Sequence, residues 1–351
     1  MNSSRLFLIL LVYMAFYIGW KEKPLSPSII TKGRMPNLTT DKAGNLDLVF
    51  GQGDSILYME SVNHGETFSK PLLVAILPEL SADAMRGPQI AYTNQGLTIL
   101  ASNGAGNIYS YQKGHSGIWT KAARVNDMDT VAKEGFMALS GDGSNLFAVW
   151  LDLRGNKRNK LVGARSINGG KAWSKNMLLY ASPDSVICEC CKPSVAVRAN
   201  NVYAMFRNNL HGSRDLYLVQ SHDGGNNFGK AQKLGNGSWT LNGCPMDGGG
   251  LTVNAGGTPQ TIWRRQSKIF TCEPGKPEIE IGEGKNCSIE SVNGKNVYAW
   301  TENGEVVCVL TNGKKQNLGK GMLPIVKAVN NKSVICIWEN ERKIYKAVLE
   351  L

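Results

Sequence analysis

Short apolar segments separated by turns run along the chain after residue 20. Each is rich in β-branched and aromatic residues and follows a Gly or Asn turn within a few positions, as is typical of β-strands. The first five recur at intervals of about 50 to 57 residues and the last two at about 37. Helical periodicity of useful length is absent from this part of the sequence. The pattern therefore predicts an all-β protein with seven similar units. The segments are "NLDLVF", "GLTILA", "NLFAVW", "NVYAMF", "PQTIW", "NVYAW" and "SVICIW".

A second repeat marks a turn in three of these units. It has Ser first, Asn or Asp third, Gly fifth and an aromatic residue eighth. The Asn or Asp side chain bonds back to its own backbone, the Gly supplies positive φ, and the aromatic ring packs the turn onto the sheet. The matches are "SVNHGETF" at 61–68, "SINGGKAW" at 166–173 and "SHDGGNNF" at 221–228. With a weaker match at Trp119, the closing aromatics Phe68, Trp119, Trp173 and Phe228 are 51, 54 and 55 residues apart.

That spacing equals the length of one four-stranded blade, and the two repeats together predict a β-propeller with seven blades. The segment "KPLSPSIITKG" before the first unit resembles the outer strand that follows each turn. We therefore expect it to complete the last blade and close the ring, which would leave no open sheet edge. The alternative is a β-sandwich followed by a second domain. It would require a linker-like change in composition, which the chain lacks.

The N-terminus has the character of an export signal. Arg5 precedes an uninterrupted apolar run of fifteen residues, 6–20, and lysines follow it. The run is shorter than the roughly 20 residues of a comfortable membrane span, but no small-x-small cleavage site follows it. We expect residues 1–22 to be a signal peptide or an N-terminal membrane anchor, rather than a buried helix. Residues 23–351 would then form a single extracytoplasmic domain, either periplasmic, secreted or held at the membrane through residues 6–20.

The net charge of +11 narrows the range of partners. Lysines and arginines are scattered rather than run together, and no nucleic-acid-binding motif is present, so nucleic acid is not predicted as a partner. An exported basic protein is better suited to an anionic surface or to an acidic glycan or glycoconjugate.

The turn repeat resembles the Asp-box, or BNR repeat, of the sialidase (neuraminidase) superfamily. The stretch "GRMPNLTTDKAGNLDLVF" also resembles the sialidase opening, in which Arg-x-Pro leads into the first inner strand. The resemblance covers most of residues 33–265. It implies a six-bladed propeller, whereas the units of this chain number seven. It also implies a glycoside hydrolase in which arginines clamp the substrate carboxylate, a Tyr–Glu pair acts as nucleophile and an Asp acts as acid/base.

The resemblance carries over to individual residues. Arg34 matches the Arg-x-Pro opening, Arg207 matches a second arginine of the clamp, and Arg264 or Arg265 would be the third. Arg86, which leads into the second inner strand, completes the predicted substrate-binding group. Asp54 in "GQGDSI" lies where the family often places its acid/base.

Two departures from the sialidase pattern leave glycosidase activity open. Cys191-Lys192-Pro193 stands where a sialidase has a glutamate before the fourth inner strand, and the fifth and sixth units offer no tyrosine in a convincing nucleophile context. A non-catalytic propeller that binds a glycan or a protein is therefore an alternative function. Arg214 and Asp215 are interpreted as a structural ion pair.

Four cysteines precede two neighbouring inner strands. Cys188, Cys190 and Cys191 lie in "SVICECCKPS" before the fourth strand, and Cys244 lies in "NGCPM" before the fifth. Inner strands begin around one end of a propeller channel, where ligands commonly bind, so the four cysteines are expected to converge there. We refer to these four residues as the cysteine cluster.

Two interpretations of the cysteine cluster remain open. Export permits disulfides, with Cys244 tied to one of the other three. The alternative is a metal or redox protein in which the cluster, with Met246, binds copper or zinc or exchanges disulfides. The first interpretation is preferred, and no cofactor is expected.

The other four cysteines lie later in the chain. Cys272 and Cys287 flank "EPGKPEIEIGEGKN" and are predicted to close that loop as a disulfide. Cys308 and Cys336 lie in apolar strands and are predicted to be buried and inert.

Overall fold

A computed structural model describes residues 27–114, 116–184 and 186–351. These ranges contain 28 strands, which form seven four-stranded antiparallel sheets. The strands are β1 Ser28–Lys32, β2 Arg34–Thr40, β3 Leu46–Gln52, β4 Ser55–Ser61, β5 Leu72–Ile76, β6 Gln89–Thr93, β7 Gly96–Ser102, β8 Ile108–Lys113, β9 Trp119–Arg124, β10 Met137–Asp142, β11 Asn145–Asp152, β12 Lys160–Ser166, β13 Met177–Tyr180, β14 Ser194–Arg198, β15 Asn201–Arg207, β16 Leu216–Ser221, β17 Gln232–Lys233, β18 Gly250–Val253, β19 Pro259–Arg265, β20 Lys268–Cys272, β21 Ile279–Glu283, β22 Lys285–Val292, β23 Lys295–Glu302, β24 Glu305–Val309, β25 Lys315–Lys320, β26 Met322–Asn330, β27 Ser333–Asn340 and β28 Lys343–Glu350.

Each sheet is one blade of a seven-bladed β-propeller. Blades 1 to 6 each use four consecutive strands from the inside outward, beginning with β2, β6, β10, β14, β18 and β22. Blade 7 combines β26, β27 and β28 with β1. The inner strands touch their neighbours around the whole ring, and β26 touches β2. The seven units predicted from the sequence are confirmed, and the six blades implied by the sialidase resemblance are wrong for this chain.

The N-terminal strand closes the ring, as predicted. β1 pairs antiparallel with β28, with Ser28 opposite Lys346 and Lys32 opposite Lys343. The first described strand thus becomes the outer strand of the last blade, so the two ends of the described chain are held in one sheet. The outer edge of β28 is covered as a result.

The apolar segments that reveal the repeat are the second strands of the blades. In β11 every residue from Asn145 to Asp152 is buried, and β3 and β27 are nearly as enclosed. A second strand has a strand on each side and a neighbouring blade against each face, so it reads as a continuous apolar run rather than an alternating one. Trp150, Trp300 and Trp338 lie in these strands and are among the largest fully buried side chains.

The repeated turns join the third and outer strands of blades 1, 3 and 4. In blade 1, the Ser61 hydroxyl accepts the Gly65 N–H at 2.9 Å, and the side-chain oxygen Oδ1 of Asn63 accepts the Thr67 N–H at 3.0 Å. The same pair of bonds recurs from Ser166 and Asn168 and from Ser221 and Asp223. The Ser and Asn/Asp positions of the repeat therefore satisfy backbone donors that the turn would otherwise leave unpaired.

Strand direction assigns the two faces of the ring. Inner strands begin at one end of the channel, which we call the mouth, and second strands end there. Third strands run away from the mouth, so the repeated turns lie on the opposite face. The described residues contain no helix long and apolar enough to cross a membrane. The predicted signal or anchor, 1–22, lies outside them.

Candidate functional site

A cavity of about 360 Å³ occupies the centre of the ring. All seven inner strands contribute to its wall, and the residues that lead into them form much of the mouth, as the alignment of the units predicted. This volume is sufficient for a ligand the size of a sugar. Blades 1, 2, 4, 5, 6 and 7 each contribute one lining residue near the start of the inner strand: Met35, Met85, Lys192, Asp247, Asn286 and Leu323.

The backbone at the mouth adopts an uncommon conformation. Non-glycine residues in the left-handed region are found there at five turns, and such residues often gather at functional sites. They are Met35 at φ 49°, Met85 at 73°, Met246 at 49°, Asn286 at 56° and Leu323 at 56°. Carboxylates stabilise two of these turns: Glu339 accepts the Met35 N–H and Asp247 accepts the Asn286 N–H, each at 2.8 Å.

Lys192 places a cation inside the cavity. It leads into blade 4, yet its Nζ donates to Gln89 Oε1 of blade 2 at 2.8 Å. Gln89 is oriented in turn by its amide, which donates to the Gly87 carbonyl at 2.9 Å. Burial alone lowers the pKa of Lys192 to about 8, because no carboxylate offsets the loss of hydration. The ammonium is therefore charged at neutral pH and lacks an anionic partner.

The carboxylates of the cavity wall are engaged elsewhere. Glu290 pairs with Lys327 at 3.1 Å. Asp247 is buried and accepts two backbone N–H groups, from Asn286 at 2.8 Å and from Gly249 at 3.3 Å. Neither carboxylate is an ion-pair partner of Lys192 in the described structure, so a bound anion would meet an unneutralised positive charge.

Two of the predicted arginines lie at the mouth. Arg34 begins the inner strand of blade 1, keeps 36% of its side chain exposed and pairs with Glu339 at 3.4 Å. Arg86 is half-buried; its Nε donates to the Glu134 carbonyl at 2.6 Å and its guanidinium stacks on Phe136 at 4.2 Å. Both add positive charge to the mouth, and their contact with a substrate stays a prediction.

Arg207 does not extend into the cavity. It is 1% exposed, and its guanidinium donates to three backbone carbonyls, those of Asp247 at 2.9 Å, Arg214 at 2.6 Å and Arg264 at 2.9 Å. The prediction of a clamping arginine is corrected here, because the donors that would hold a carboxylate instead tie blade 4 to blade 5.

The side chains of Arg264 and Arg265 contact different partners. The Arg264 guanidinium lies 5.4 Å from the ring centre of Trp239 and donates to the Pro245 carbonyl at 3.3 Å. Arg265 forms a bidentate pair with Glu278, at 2.8 and 2.5 Å, and stacks on Phe270. Arg265 is thus occupied within blade 5, and the five arginines do not assemble into one clamp.

Asp54 lies on the hairpin between β3 and β4, on the mouth side of blade 1. It is exposed and does not line the cavity. Its backbone carbonyl accepts the Leu77 N–H at 2.8 Å. The acid/base role of Asp54 remains a prediction.

The cysteine cluster converges as predicted. Cys190 and Cys244 form a disulfide that joins the segments before blades 4 and 5, with their Cα atoms 6.2 Å apart. Cys188 and Cys191 are free and buried, with their sulfurs 3.3 Å apart. The Cys188 sulfur also lies 3.5 Å from the Cys190 sulfur. The segment is held in place by a bridge between Ile187 and Asn208 at the end of β15.

The two free thiols of the cluster differ in acidity. A hydrogen bond from the Cys191 thiol lowers the pKa of Cys188 to about 7, with the charge of Arg214 acting in the same direction. Burial raises the pKa of Cys191 well above its usual range. The contact between the two sulfurs therefore makes Cys188 the more acidic thiol of the pair and Cys191 the less acidic one.

The remaining cysteines form no disulfide. Cys272 in β20 and Cys287 in β22 are free and buried in separate hydrophobic clusters, Cys272 with Trp263 and Cys287 with Trp300. Their predicted disulfide is wrong, because Cys272 packs between blades 4 and 5 whereas Cys287 packs between blades 5 and 6. Cys308 and Cys336 are free and buried in one apolar cluster, as predicted.

Sequence reasoning did not assign a role to several residues at the mouth. Gln89 and Asp247 act through contacts with other blades, which no local motif reveals. Arg214 was expected to pair with Asp215, but its Nη1 donates to the Cys188 sulfur at 3.4 Å and lies 3.7 Å from Glu189. Asp215 pairs with Lys233 at 3.1 Å instead. For Lys192, the sequence did offer a signal: it follows Cys191 directly and lies just before an inner strand, where residues face the channel.

Comparison with known proteins yields similarity of structure only. No family model and no curated protein sequence matches the chain. Virginiamycin B lyase from Staphylococcus aureus aligns over 93% of this chain and 99% of its own, with 12% identity and a TM-score of 0.57. The α-L-arabinofuranosidase of Fusarium graminearum, in complex with arabinobiose, aligns over 93% and 96%, with 12% identity and a TM-score of 0.54. An ulvan lyase bound to a GlcA–Rha3S saccharide aligns over 92% and 95%, with 10% identity and a TM-score of 0.56. At these identities the likeness supports the propeller fold alone.

Proposed function

We propose that this protein is an extracytoplasmic propeller that binds the anionic group of an acidic glycan in its central cavity. The observation that carries the proposal is Lys192, a cation in the cavity whose burial no carboxylate offsets. A partly buried charge that loses hydration without gaining an anionic partner is unfavourable, and a carboxylate or sulfate from a ligand would reduce that penalty.

Other features of the mouth agree with an anionic sugar. The net charge of +11 and the half-buried Arg34 and Arg86 attract anions from solution. The cavity is open to solvent at the mouth, and its wall combines apolar residues with polar side chains that suit hydroxyls, among them Asn37, Ser140 and Thr252. Two of the structurally similar proteins are described with bound saccharides, and the one seen with the ulvan lyase contains glucuronate and a sulfated sugar.

The geometry favours binding over hydrolysis of the sialidase type. Arg207 is committed to backbone carbonyls, and none of the described residues that line the cavity is a tyrosine. A nucleophile of the kind that the resemblance implies is therefore missing from the wall. We assign the cavity to recognition, with sialidase turnover as the second candidate because Arg34 and Arg86 remain at the mouth.

Isothermal titration of the protein without residues 1–26 would test the proposal. The ligands would be a glucuronate-bearing disaccharide, a sialylated trisaccharide and the neutral lactose, each assayed in parallel for hydrolysis. We expect binding of at least one acidic sugar and none of lactose. Lys192→Met should weaken that binding at least about tenfold, since one charge-assisted contact contributes about 1.5–3 kcal/mol.

The matched control is Lys121→Met, which removes the same charge from an exposed site on the outer strand β9. This variant should bind as the unaltered protein does. An equal loss of affinity in the two variants would mean that only the net charge of the protein matters, and it would contradict a binding site in the cavity. Hydrolysis of the sialylated sugar that depends on Arg34 would favour the second candidate.

A further inference from the structure

We infer that the cysteine cluster is a binding site for one Cu(I) ion, opened by reduction of the Cys190–Cys244 disulfide. The inference is independent of glycan binding and concerns the sulfur atoms beside the mouth.

The sulfur positions already approximate a ligand set. Three sulfurs, of Cys188, Cys190 and Cys191, lie within 4.8 Å of one another. Their separations are 3.3, 3.5 and 3.9 Å. Metal–sulfur bonds of about 2.3 Å place the thiolates of one ion about 3.8–4.0 Å apart. Shifts of a few tenths of an ångström would therefore bring the three sulfurs to coordinating distance around a single ion.

The fourth sulfur comes from the neighbouring blade. Cys244 is bonded to Cys190 across a Cα separation of 6.2 Å, so after reduction its side chain stays within reach of the other three. The cluster then offers sulfur ligands from the segments that lead into two neighbouring blades. The segment that carries Cys188 is preorganised, because Ile187 bridges to Asn208 and the Cys188 N–H donates to the Arg207 carbonyl at 3.0 Å.

The disulfide keeps two of the four cysteines from acting as metal ligands. While Cys190 and Cys244 are bonded to each other, neither is a thiolate and only two free thiols remain. A dithiol reductant supplies two electrons and two protons: the S–S bond breaks, Cys190 and Cys244 become thiols, and the reductant becomes a disulfide. Cys244 is exposed and Cys190 partly so, which gives a reductant access from the mouth face.

Hydrogen-bond donors surround the buried sulfurs. Arg214 Nη1 donates to the Cys188 sulfur at 3.4 Å, and the Asp247 N–H donates to the Cys191 sulfur at 3.5 Å. Such donors offset the negative charge that several thiolates would otherwise concentrate in a buried place. The outer shell that a thiolate site requires is thus already present.

The ligand chemistry favours Cu(I). Thiolates and thioethers are soft ligands, and an all-sulfur set suits Cu(I) better than cations that prefer imidazole or carboxylate. Met246 follows Cys244 by two positions and is 47% exposed at the mouth, so a thioether stands on the same segment. No histidine joins the metal-ligating group found among the described residues.

The test is an anaerobic Cu(I) titration against a chromophoric competing chelator, with oxidised and phosphine-reduced protein compared. We expect the reduced protein to take one Cu(I) per chain, with an ultraviolet thiolate-to-copper absorption, and the oxidised protein to bind at least about 100-fold more weakly. Cys188→Ala and Cys191→Ala should lower the affinity of the reduced protein by at least about 100-fold.

Two further variants separate ligation from folding. Cys308→Ala removes an equally buried cysteine in blade 6 and should leave Cu(I) affinity unchanged. Cys244→Ser alters an exposed residue, so the fold should persist; it frees Cys190 and should give binding without reductant. Failure of the reduced protein to bind, uptake of Zn(II) but not Cu(I), or an equal loss in Cys308→Ala would overturn the inference. Transfer of the disulfide to Cys188–Cys191 without metal uptake would overturn it in favour of thiol exchange.

Discussion

Lys192 and Arg207 show that the hydrogen-bond partners of a charged side chain determine whether it is structural or free to bind a ligand. Both are cations of blade 4 on the side of the mouth. Arg207 has its donors satisfied by three carbonyls and is structural, whereas Lys192 donates to one neutral amide and keeps an unneutralised charge. The free charge, rather than the larger number of donors, marks the residue that can attract a ligand.

The lowered pKa of Lys192 predicts how anion binding depends on pH. Because the pKa is about 8, the ammonium predominates below pH 8 and the neutral amine above it. Affinity for an acidic glycan should therefore hold between pH 6 and 7 and fall about tenfold from pH 7 to 9, in proportion to the protonated fraction. Titration calorimetry across this range would measure it.

Lys192→Arg supplies the control for this dependence, since arginine stays charged throughout. If this variant binds, its affinity should be nearly constant from pH 7 to 9. An equally flat profile in the unaltered protein would show that the Lys192 charge does not hold the anion.

Among the elements, the repeated turns are the most completely determined by local sequence. The Ser hydroxyl at the first position and the Asn or Asp at the third accept the same backbone donors in blades 1, 3 and 4. The second strands are also evident from sequence, because burial on both faces produces continuous apolar runs. The turn before the sixth inner strand has no such local motif, since it rests on Asn286 and on a contact with Asp247 from the preceding blade.

Ser61→Ala should destabilise the protein by about 1–2 kcal/mol, because the buried Gly65 N–H would lose its acceptor. Chemical denaturation would measure the free energy of unfolding. Val62→Ala is the matched control, since Val62 is adjacent and 74% exposed, and it should change stability little. Equal effects of the two substitutions would show that the hydroxyl contributes nothing particular to the turn.

At the scale of the whole molecule, one strand closes the ring. β1 covers the edge of β28 and joins the N-terminal part of the described chain to its C-terminal blade. A ring closed in this way resists separation of its first and last blades, which in turn keeps the mouth and the cysteine cluster in register.

A chain that begins at Gly33 lacks β1, and we expect it to melt roughly 5–10 °C below a chain that begins at Pro27. It should also associate more readily, because the edge of β28 is then unpaired. Differential scanning calorimetry and light scattering would record the two effects. Identical melting temperatures would mean that contacts among inner strands close the ring without β1.

The all-β fold, the seven units, the closing strand and the convergence of four cysteines could all be predicted from the sequence. These features follow from local signals, namely strand-sized apolar runs and turn residues, repeated often enough to fix a register. The resemblance to sialidases was a weaker guide, since it implied six blades and assigned Arg207 to a clamp.

Which charges are free and which thiols are paired depends on the packing of the blades. Lys192 meets Gln89 across the cavity, Arg207 reaches carbonyls of two blades, and Cys272 and Cys287 stay apart in separate clusters. Each outcome depends on a neighbouring blade that is distant in sequence. Local pattern can place a residue at the start of a strand, but the partners of its side chain are set by the packing of the blades around the ring.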